Sequence, residues 1–552
     1  MGIYVNPGNT KFRNKLKAKI YVDKSPMISH LNELIDTDDG FVCMSRARRF
    51  GKTMMTNIMS AYYSKNCDSR EIFENLKLSK QEEWDKYLNS INVIQIDLQS
   101  SYNITKDKNR VIDKLQADVV NELREQFPSI TIPANAVIAD AISIINKYLG
   151  ETFVIIIDEY DVLIRDKKVP TSLCEEYIDF LNALFKSNTT QEAIKLAYLT
   201  GILPIYREIV QSKLNNFTEY TMLNPDQFAQ YFGFSENEVQ NLCLENNADY
   251  DICQRMYDGY IFQKPHDMAV QPNDDDQPVI HIFNPNSVAK AVTKHRYDNY
   301  WVATSALEAI TLYIDANIAG IQDDIKTLLK GEKEIVVDVL RYNNNVERFA
   351  TKDEIFTYLI HLGYLAYDPT KGTCHIPNGE IRSAWLRIMS DAKGFEPIQQ
   401  MIETSRKLIE ATENCESETV AKALDDSHAD ISSPLTYNRE SSLQSAILMA
   451  YFYARKDYLV FSELASGCGF ADVVLVPTFA QKPIIIIELK KDGEPATAIE
   501  QIKTRNYAHA FRYHHGREAV LVGVTYDAGS KRHRCLIERV DNYREMFGME
   551  TK

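Results

Sequence analysis

The sequence has no closely spaced cysteine pair and no long apolar run. Its nine cysteines are scattered over 552 residues without a Cys-x-x-Cys pair, so neither a disulfide framework nor a zinc ribbon is expected. No stretch approaches the roughly 20 consecutive apolar residues of a membrane-spanning helix. The start, MGIYVNPGNTKFRNKLK, lacks the apolar core of a signal peptide. We therefore expect a cytoplasmic protein without a membrane segment.

Positive charge is also in deficit, with 62 lysine and arginine residues against 77 acidic residues and a net charge of −15. This deficit argues against a protein that coats nucleic acid over its whole surface. A local basic groove is still compatible with it, because charges are screened beyond roughly 10 Å. The composition, 45% hydrophobic and 25% charged, is that of an ordinary globular protein. The length predicts two to four domains.

Short apolar strands alternate with helical stretches over the first 222 residues. Strands separated by long crossover segments predict a parallel sheet with helices on both faces. From 223 to 403 the pattern is mainly helical, with an amphipathic stretch at 353–367 and a solvated acidic loop at 264–280. The predicted strands of the N-terminal part are FVCMS (41–45), INVIQIDL (91–98), TFVIIID (152–158) and KLAYLTG (195–201).

A second, smaller α/β domain is predicted at the C-terminal end. The charged stretch 404–434 is interpreted as a helical connector, and residues 435–552 follow it as the second domain. A helix is predicted at 439–456, ahead of the strands. The predicted strands are ADVVLVP (471–477), PIIIIELK (483–490) and EAVLVGVTY (518–526).

The stretch SRARRFGKT (45–53) ends like a phosphate-binding loop, but Arg46 stands where the motif G-x-x-x-x-G-K-[ST] has its first glycine. The loop follows an apolar strand and leads into a helix-compatible run, so backbone N–H groups are expected to converge on an anion. Lys52 is predicted to reach the β- and γ-phosphates, and the Thr53 hydroxyl to bind Mg²⁺. Gly51, the second glycine of the motif, is retained.

An acidic pair, Asp158 and Glu159, closes the apolar strand FVIIID. A carboxylate at the end of a buried strand is costly without a partner, and a metal ion with its bound water is a suitable one. Asp158 is therefore a predicted metal ligand, and Glu159 is placed to polarise an attacking water. The alternative is a surface turn with solvated arginines beside a structural strand.

Three arginines and a threonine complete the predicted nucleotide site. Arg46, Arg48 and Arg49 are expected to add positive charge near the phosphates or to contact another domain. Thr200 follows the strand residues KLAYL and is interpreted either as a γ-phosphate sensor or as a simple strand cap. Asp97 also lies at a strand end.

A second group of charged residues lies on adjacent predicted strands near the C-terminus. Asp472 begins one strand, and Glu488 and Lys490 lie two residues apart on one face of the next. Four isoleucines before Glu488 describe a buried strand, where an unpaired carboxylate is costly. Asp472, Glu488 and the carbonyl of Leu489 are hard oxygen ligands of the kind that Mg²⁺ prefers. The Lys490 ammonium is suited to orient or deprotonate a water in phosphodiester hydrolysis, and an exposed strand pair is the alternative.

Accessory residues and a basic stretch flank this group. Glu440 is a candidate for a further carboxylate, and Gln501 and Tyr507 are candidates for contacts with the same site or with a substrate backbone. A purely structural role is the alternative for all three. Residues 501–517 carry one lysine, three arginines, three histidines and no acid. This stretch is interpreted as a nucleic-acid-binding surface or as a solvated amphipathic helix.

On these motifs the chain resembles the AAA-ATPase-like bacterial proteins that carry a C-terminal PD-(D/E)XK nuclease domain. SRARRFGKT is similar to the arginine-rich phosphate loop of that family, so Arg46 in the first-glycine place resembles the family form, although Ala47 replaces the usual proline. Further similar segments are YVDKSPMI, IIIDEYD, LTGIL, FGFSENEV, MYDGYIF, IFNPNSV, NYWVATS, HLGYLAY, IPNGEIR, GFADVVL, IIIIELKK and QIKTRNYA.

The resemblance implies an α/β multidomain protein. Residues 1–222 would form a P-loop ATPase domain with a parallel sheet, and residues 223–403 a helical or winged-helix section. After the connector, residues 435–552 would form a restriction-endonuclease-like PD-(D/E)XK α/β domain. The acidic stretch 264–280 resembles an insertion relative to the family.

The resemblance also implies ATP and Mg²⁺ as cofactors, ATP hydrolysis, and a Mg²⁺-dependent nuclease acting on nucleic acid, with DNA favoured. The alternative is a nucleotide-driven switch whose nuclease-like domain binds nucleic acid or a partner without cleaving it. Assembly into a homo-oligomer is compatible with the resemblance. A context in mobile elements or phage defence follows by analogy alone.

Overall fold

Two units of the chain each have a sheet and a hydrophobic core in the computed structural model. The first comprises Met1–Glu238, Tyr260–Asn286 and Val336–Cys374, and the second Val239–Gly259, Ser287–Ile335 and His375–Lys552. The structure describes residues 2–166, 168–205, 214–264, 279–301, 314, 317–331, 333–342, 349–391, 396–431, 440–466, 469–478, 481–491, 493–504, 516, 518–527 and 529–547. Over these ranges, no helix is both long and apolar enough to cross a bilayer.

Five parallel strands form the main sheet of the first unit. They are β1 (Phe41–Ser45), β2 (Asn92–Asp97), β3 (Phe153–Asp158), β4 (Ile194–Gly201) and β5 (Thr218–Tyr220). Their order is β2-β3-β4-β1-β5. β3 is buried along its whole length, as expected for a central strand rich in β-branched residues. The four strands predicted from the sequence are present, and β5 adds an edge strand.

The strand order brings the ends of β1, β4 and β3 side by side. Thr200 in β4 pairs in register with Met44 of β1 and with Asp158 of β3. Because the three strands run parallel, the segments that follow them emerge at one edge of the sheet. The loop that starts at Arg46 and the acidic pair that starts at Asp158 therefore meet at that edge.

Helices connect and surround the strands of this sheet, and some of them supply much of its core. They are α1 (Thr10–Leu16), α2 (Met27–Leu34), α3 (Lys52–Tyr63), α4 (Arg70–Glu74), α5 (Leu98–Ile104), α6 (Val111–Gln126), α7 (Ile138–Leu149), α8 (Val162–Arg165), α9 (Thr171–Lys186) and α10 (Asn188–Ala193). The apolar residues of α6, α7 and α9 are buried in one cluster with those of β2, β3 and β4. This periodic burial is what stabilises amphipathic helices of this length.

The middle of the chain combines helices with two small sheets, where the sequence predicted a mainly helical section. The helices are α11 (Glu236–Glu245), α12 (Tyr250–Tyr257), α13 (Pro285–Lys294), α14 (Ile321–Lys330), α15 (Lys352–Leu362) and α16 (Gly379–Asp391). The strands are β6 (Phe234–Ser235), β7 (Tyr260–Gln263), β8 (Val279–Phe283), β9 (Ile335–Val336), β10 (Ala366–Asp368) and β11 (Thr373–His375). They form sheets in the orders β6-β8-β7 and β10-β11-β9.

Two predictions for this middle region need adjustment. The stretch 353–367 is helical only as far as Leu362, because Gly363 adopts a φ of 84° and ends the helix, and β10 follows. Most of the predicted acidic loop 264–280 lies outside the described residues, and its last two residues begin β8.

A buried carboxylate explains several middle motifs that carry no chemistry in the sequence. Glu380 is fully buried in the second unit and accepts hydrogen bonds from the Ser287 hydroxyl at 2.9–3.0 Å and from the backbone N–H groups of Tyr300 and Trp301 at 2.5 and 2.7 Å. These residues belong to IPNGEIR, IFNPNSV and NYWVATS. The motifs are therefore joined by one satisfied polar network.

Five consecutive strands form the sheet of the second unit. They are β12 (Tyr458–Ser466), β13 (Gly469–Pro477), β14 (Ile484–Lys491), β15 (Ala519–Asp527) and β16 (Arg532–Val540). β14 and β15 pair in parallel, and the other neighbours are antiparallel. The three predicted strands are present, and the flanking strands β12 and β16 are additional.

The remaining helices are α17 (Glu396–Glu413), α18 (Ser417–Ile431), α19 (Glu440–Ala450), α20 (Pro495–Thr504) and α21 (Tyr543–Met546). Leu408 of α17, Val420 of α18 and Ile447 of α19 are buried in one cluster with Val473 and Ile487 of the sheet. The charged stretch 404–434 falls largely on α17 and α18. Its described part is helical, as expected, but contributes to the core of the second unit instead of forming a separate connector.

Candidate functional site

The loop between β1 and α3 adopts left-handed backbone at two residues, Arg49 and Gly51. Their φ angles are 69° and 94°, a region that glycine adopts freely and that costs other residues energy. The φ of Arg46 is not positive. The backbone at the first-glycine position therefore does not require glycine, which explains how an arginine is accommodated there.

Lys52 begins α3 and is 5% exposed. Its Nζ atom donates to the carbonyl oxygens of Arg46 at 3.0 Å and Ala47 at 3.2 Å, and lies 4.0 Å from Oε1 of Glu159. Burial lowers the pKa of Lys52, and the charge of Glu159 opposes that shift. The ammonium therefore connects the loop with the acidic pair, at the edge where a triphosphate was expected.

Arg46 is fully buried and is not among the residues that line the cavity beside the loop. Its Nη1 atom donates to the carbonyl oxygens of Ser45 at 2.8 Å and Tyr220 at 2.9 Å. Its guanidinium carbon lies 5.0 Å and 5.7 Å from the ring centroids of Phe232 and Phe262. Burial lowers its pKa to about 9. The side chain thus anchors the loop to aromatic residues of the first unit, and the phosphate contact expected for it stays a prediction.

A polar cavity of about 480 Å³ opens beside the loop, a volume in the range of small-molecule sites. Five residues of the predicted nucleotide site lie in its wall, namely Arg48, Arg49, Thr53, Asp158 and Glu159. The other lining residues are Asp97, Gln99, Ser100, Asn103 and Arg165. The structure therefore brings the hydroxyl, the acidic pair and two of the loop arginines to one space.

Asp158 is 3% exposed, and the backbone N–H of Glu159 donates to its Oδ1 at 3.0 Å. Burial raises the pKa of Asp158 to about 6, and a hydrogen bond with the Thr53 side chain acts in the opposite direction. A buried carboxylate beside a hydroxyl oxygen is a pair of hard donors of the kind that suits Mg²⁺. Thr53 and Asp158 are thus the residues that would hold the ion.

Glu159 is held between two cations. Nη2 of Arg165 donates to its Oε2 at 3.0 Å, and Nζ of Lys52 lies 4.0 Å from its Oε1. Burial alone would raise the pKa of Glu159, but the charges of Lys52 and Arg165 outweigh it, and the pKa lies below its ordinary value. Its backbone φ of 52° is strained for a residue with a side chain, a feature that clusters at functional sites.

Sequence reasoning missed Asp161 and Arg165, which surround the acidic pair. Oδ2 of Asp161 accepts hydrogen bonds from the backbone N–H groups of Ile202 at 3.1 Å and Leu203 at 3.0 Å, so it holds the segment that follows Thr200. Nη1 of Arg165 lies 3.5 Å from the same oxygen. The spacing in DEYDVLIR was the available signal, because it puts Asp161 and Arg165 one helical turn apart on one face.

Two other strand-end residues have defined positions. Thr200 is fully buried and its hydroxyl donates to the carbonyl of Met44 at 3.0 Å, a contact that matches the strand-cap alternative. Asp97 pairs in register with Asp158, and its side chain caps α5 by accepting from the N–H of Ser100 at 2.8 Å. Asp97 therefore contributes a further carboxylate to the cavity wall.

The carboxylates of Asp472 and Glu488 come from adjacent antiparallel strands, β13 and β14. The nearest register pair joins Val473 to Ile487, so the next positions along place Asp472 and Glu488 opposite each other on one face. Oδ2 of Asp472 accepts a hydrogen bond from the backbone N–H of Leu489 at 2.7 Å. The predicted hairpin is present, and it sets the Asp472 carboxylate against the peptide that follows Glu488.

Glu488 is 1% exposed and has two described side-chain partners. Nζ of Lys490 donates to its Oε1 at 3.3 Å, and the side-chain amide of Gln501 on α20 donates to the same oxygen. The Lys490 side chain is 31% exposed. The structure therefore brings Glu488, Lys490 and Gln501 together, with the lysine open to solvent.

Gly523 allows α20 to approach the sheet beside Glu488. It is the register partner of Glu488 in β15, and a Cβ atom there would lie 2.3 Å from the carbonyl oxygen of Pro495 and 3.2 Å from the Cβ of Ala498. Any side chain at this position would push the helix outwards. Since α20 carries Gln501, the glycine fixes one partner of the Glu488 carboxylate.

Two predicted accessory residues have no described side chain. Glu440 begins α19, but its side chain lies outside the described part of the chain, as do Tyr507 and most of the basic stretch 501–517. Within the described residues, no group of three or more His, Cys, Asp or Glu side chains could hold a metal ion. Asp472 and Glu488 are the two oxygen donors that would hold Mg²⁺ at this sheet.

Both sites fall in segments that match known families. Residues 9–210 match a family described as "Predicted AAA-ATPase", and residues 439–535 match the PD-(D/E)XK nuclease superfamily. The chain therefore combines an AAA-ATPase-like domain of the P-loop NTPase fold with a domain of the PD-(D/E)XK nuclease superfamily. The family resemblance and the fold class predicted from the sequence are confirmed.

Single proteins give more distant matches. The "Uncharacterized protein in vnfD 5′region" of Azotobacter chroococcum mcd 1 is 21% identical over 288 residues, which cover 51% of this chain and 50% of that protein. The chain thus spans about half the length of this curated relative. The structure of the Aeropyrum pernix ORC2 protein in ADPNP-ADP complexes shares 12% identity at a TM-score of 0.28, covering 65% of this chain and 92% of that one.

Proposed function

We propose that the protein hydrolyses ATP and that its C-terminal domain is a Mg²⁺-dependent nuclease acting on DNA. The observation that carries the proposal is shared by the two domains: each sets a lysine beside a carboxylate at a sheet edge. Lys52 lies 4.0 Å from Glu159, and Lys490 lies 3.3 Å from Glu488. A fixed cation beside oxygen donors for a metal ion is the equipment that phosphoryl transfer requires.

In the N-terminal site, Lys52 binds the β- and γ-phosphates, and the N–H groups at the start of α3 surround the same anion. Thr53 and Asp158 hold Mg²⁺, which when bound supplies charge neutralisation for the phosphate oxygens. Glu159 accepts the proton of the attacking water. Arg48 in the cavity wall adds positive charge where the transferred phosphoryl group carries negative charge.

In the C-terminal site, Asp472 and Glu488 hold Mg²⁺, which when bound supplies a Lewis acid for the scissile phosphate. Lys490 orients the attacking water or takes its proton. Gln501 fixes the orientation of the Glu488 carboxylate. The basic composition of residues 501–517, with no acid among them, supports a polyanionic substrate such as DNA.

The ATPase half of the proposal is tested by phosphate release from ATP. We expect Lys52→Ala to abolish hydrolysis, because the variant loses the cation at the β- and γ-phosphates. Lys11→Ala, an exposed lysine on α1, is the matched control and should hydrolyse ATP like the wild type. Equal hydrolysis by the wild type and Lys52→Ala would overturn this half.

The nuclease half has a competing version in which the domain binds nucleic acid or a partner without cleaving it. A metal site formed by Asp472 and Glu488 should raise the unfolding temperature when Mg²⁺ is added, by binding the folded state alone. We expect Asp472→Asn to reduce this rise in unfolding temperature. The double variant Asp472→Asn, Glu488→Gln should lose the part of the rise that is due to Mg²⁺ binding at the C-terminal site. The non-cleaving version gains support if the shift is the same in all three proteins.

A further inference from the structure

Arg165 is placed to contact a ligand in the N-terminal cavity. It ends α8, seven residues after Asp158, and its side chain is 13% exposed in the wall of the same cavity as Thr53. Its Nη2 donates to Glu159, whereas its Nη1 is buried 3.5 Å from Oδ2 of Asp161 and has no hydrogen-bond partner in the described structure. The guanidinium therefore has one donor that its present hydrogen bonds do not use, and the side chain has to turn from Asp161 and Glu159 to offer it to a ligand in the cavity.

The contact with Arg165 works against the role of Glu159 as a base. One carboxylate oxygen accepts from Arg165 at 3.0 Å, and the other lies 4.0 Å from Lys52. Both carboxylate oxygens are thus engaged by cations, which leaves less room for a hydrogen bond from a water. For Glu159 to accept the proton of a water, at least one of these cations has to move to another anion.

A second arginine in the cavity points to what that anion is. Arg48 lines the same space, and the charge of Arg165 adds to burial in lowering the pKa of Arg48, so the two guanidinium groups repel. Three arginines of the cavity wall face three carboxylates, and a phosphate with its bound metal ion would pair with both sets. Guanidinium donors match phosphate oxygens in geometry. The terminal phosphate of a nucleoside triphosphate fits, because Thr53 and Asp158 lie in the same wall.

We propose that Arg165 binds the γ-phosphate of a nucleoside triphosphate and thereby releases Glu159 to act on the attacking water. This inference rests on the proposed function of the cavity as a triphosphate site. With a diphosphate there is no γ-phosphate, so Arg165 stays on Glu159. The site then distinguishes tri- from diphosphate through one side chain.

Hydrolysis of the triphosphate in this site forms one bond, breaks one bond and transfers one proton. The water oxygen forms a bond to Pγ, and the bond from Pγ to the β–γ bridging oxygen breaks with its electron pair leaving on the diphosphate. A proton of the water passes to Glu159, which Arg165 no longer holds. Arg165 donates to the equatorial oxygens of the transferred group, whose charge is spread over them in the transition state.

The experiment measures calorimetric dissociation constants for ADP and for a non-hydrolysable ATP analogue with Mg²⁺. The proteins are the wild type, Arg165→Gln, Arg165→Lys and the exposed control Arg110→Gln, whose side chain is 72% exposed. We expect Arg165→Gln to raise the dissociation constant of the analogue about tenfold and to leave that of ADP within about twofold of the wild-type value. Arg165→Lys should recover part of the loss, and Arg110→Gln should bind both nucleotides normally.

A second measurement covers the case in which Arg165→Gln folds poorly. Glu159→Gln removes the charge that competes for Arg165, so it should lower the dissociation constant of the analogue but not that of ADP. In the double variant with Arg165→Lys, this gain in affinity for the analogue should be smaller. The inference is overturned if Arg165→Gln loses affinity for both nucleotides equally, or if Glu159→Gln gains no selective affinity for the analogue. Either result leaves the proposed ATP site standing. If the wild type binds neither nucleotide, the proposed function fails, and this inference fails with it.

Discussion

The Nζ atom of Lys52 donates to the carbonyl oxygen of Arg46 at 3.0 Å, so the two residues that bracket the phosphate loop are joined directly. The Arg46 side chain is in turn anchored to the carbonyl of Tyr220 and packed against Phe232 and Phe262. The arginine in the first-glycine position therefore anchors the loop to Tyr220, Phe232 and Phe262. Its left-handed turns are made elsewhere, at Arg49 and Gly51.

Restoring the glycine is consequently expected to damage the protein. Arg46→Gly removes the contacts with Tyr220 and leaves a cavity under the two rings, and should lower the free energy of unfolding by about 2–4 kcal/mol. Arg46→Met keeps the volume and removes a buried cation, so it should cost no more than about 1.5 kcal/mol. Denaturant unfolding of the three proteins measures this. An Arg46→Gly protein as stable as the wild type would contradict the anchoring role.

The raised pKa of Asp158 predicts a pH-dependent stability. Its ordinary value of 3.8 rises to about 6 in the folded protein through burial. The ionised carboxylate therefore destabilises the folded state above pH 6, and this cost disappears below pH 4, where the group is protonated in both states. At 1.36 kcal/mol per pKa unit, the full effect is about 3 kcal/mol.

Asp158→Asn should accordingly unfold at a higher temperature than the wild type at pH 8, measured without nucleotide or metal. The difference should shrink as the pH falls through 6 towards 4. The same variant should lose Mg²⁺-dependent nucleotide binding, because an amide is a weaker metal ligand than a carboxylate. A variant less stable than the wild type at pH 8 would show that the Asp158 charge stabilises the fold.

Gly523 offers a test of the second site that leaves the first untouched. In Gly523→Ala the new Cβ meets the carbonyl oxygen of Pro495, so α20 has to move outwards and carry Gln501 away from Glu488. We expect a loss of about 1–3 kcal/mol in unfolding free energy and a fall in nuclease activity, with ATP hydrolysis unchanged. Gly493→Ala is the matched control, since a Cβ at that position meets nothing within 4 Å. Normal cleavage by Gly523→Ala would contradict this role of α20.

The network around Glu380 predicts a large effect on stability alone. Glu380→Ala leaves the buried N–H groups of Tyr300 and Trp301 without their acceptor, at about 1–3 kcal/mol for each group. Glu380→Gln retains one acceptor oxygen and should lose less stability than Glu380→Ala. Thermal unfolding of both variants distinguishes them, and equal loss in the two would mean that the carboxylate charge, not the hydrogen bonds, is what matters.

Much of the fold follows from hydrophobic pattern. The strands β1, β3, β13 and β14 lie within two residues of their predicted bounds, because each contains a short apolar run that is bounded by polar or turn residues. The two small middle sheets were not predicted, since strands of two to five residues carry too little periodicity. The helical part of 404–434 was read as a connector because charge on its outer face obscures buried residues such as Val420.

The candidate site was predicted as a set of residues but not as a set of contacts. Sequence placed Lys52, Asp158 and Glu159 at one sheet edge, and the strand order brings them there. It could not show that Arg46 lies outside the cavity wall, because no local pattern reveals its packing on Phe232. Arg165 was missed for a related reason: its partner Glu159 is adjacent only once α8 has formed.

The most direct test of the central claim is a cleavage assay on double-stranded and single-stranded DNA with Mg²⁺ and ATP. We predict that the wild type cuts DNA, that Lys490→Ala does not while still hydrolysing ATP, and that Lys491→Ala, on the opposite face of the same strand, cuts normally. Cleavage that persists in Lys490→Ala, or wild-type protein that hydrolyses ATP yet never cuts DNA under these conditions, would contradict the account.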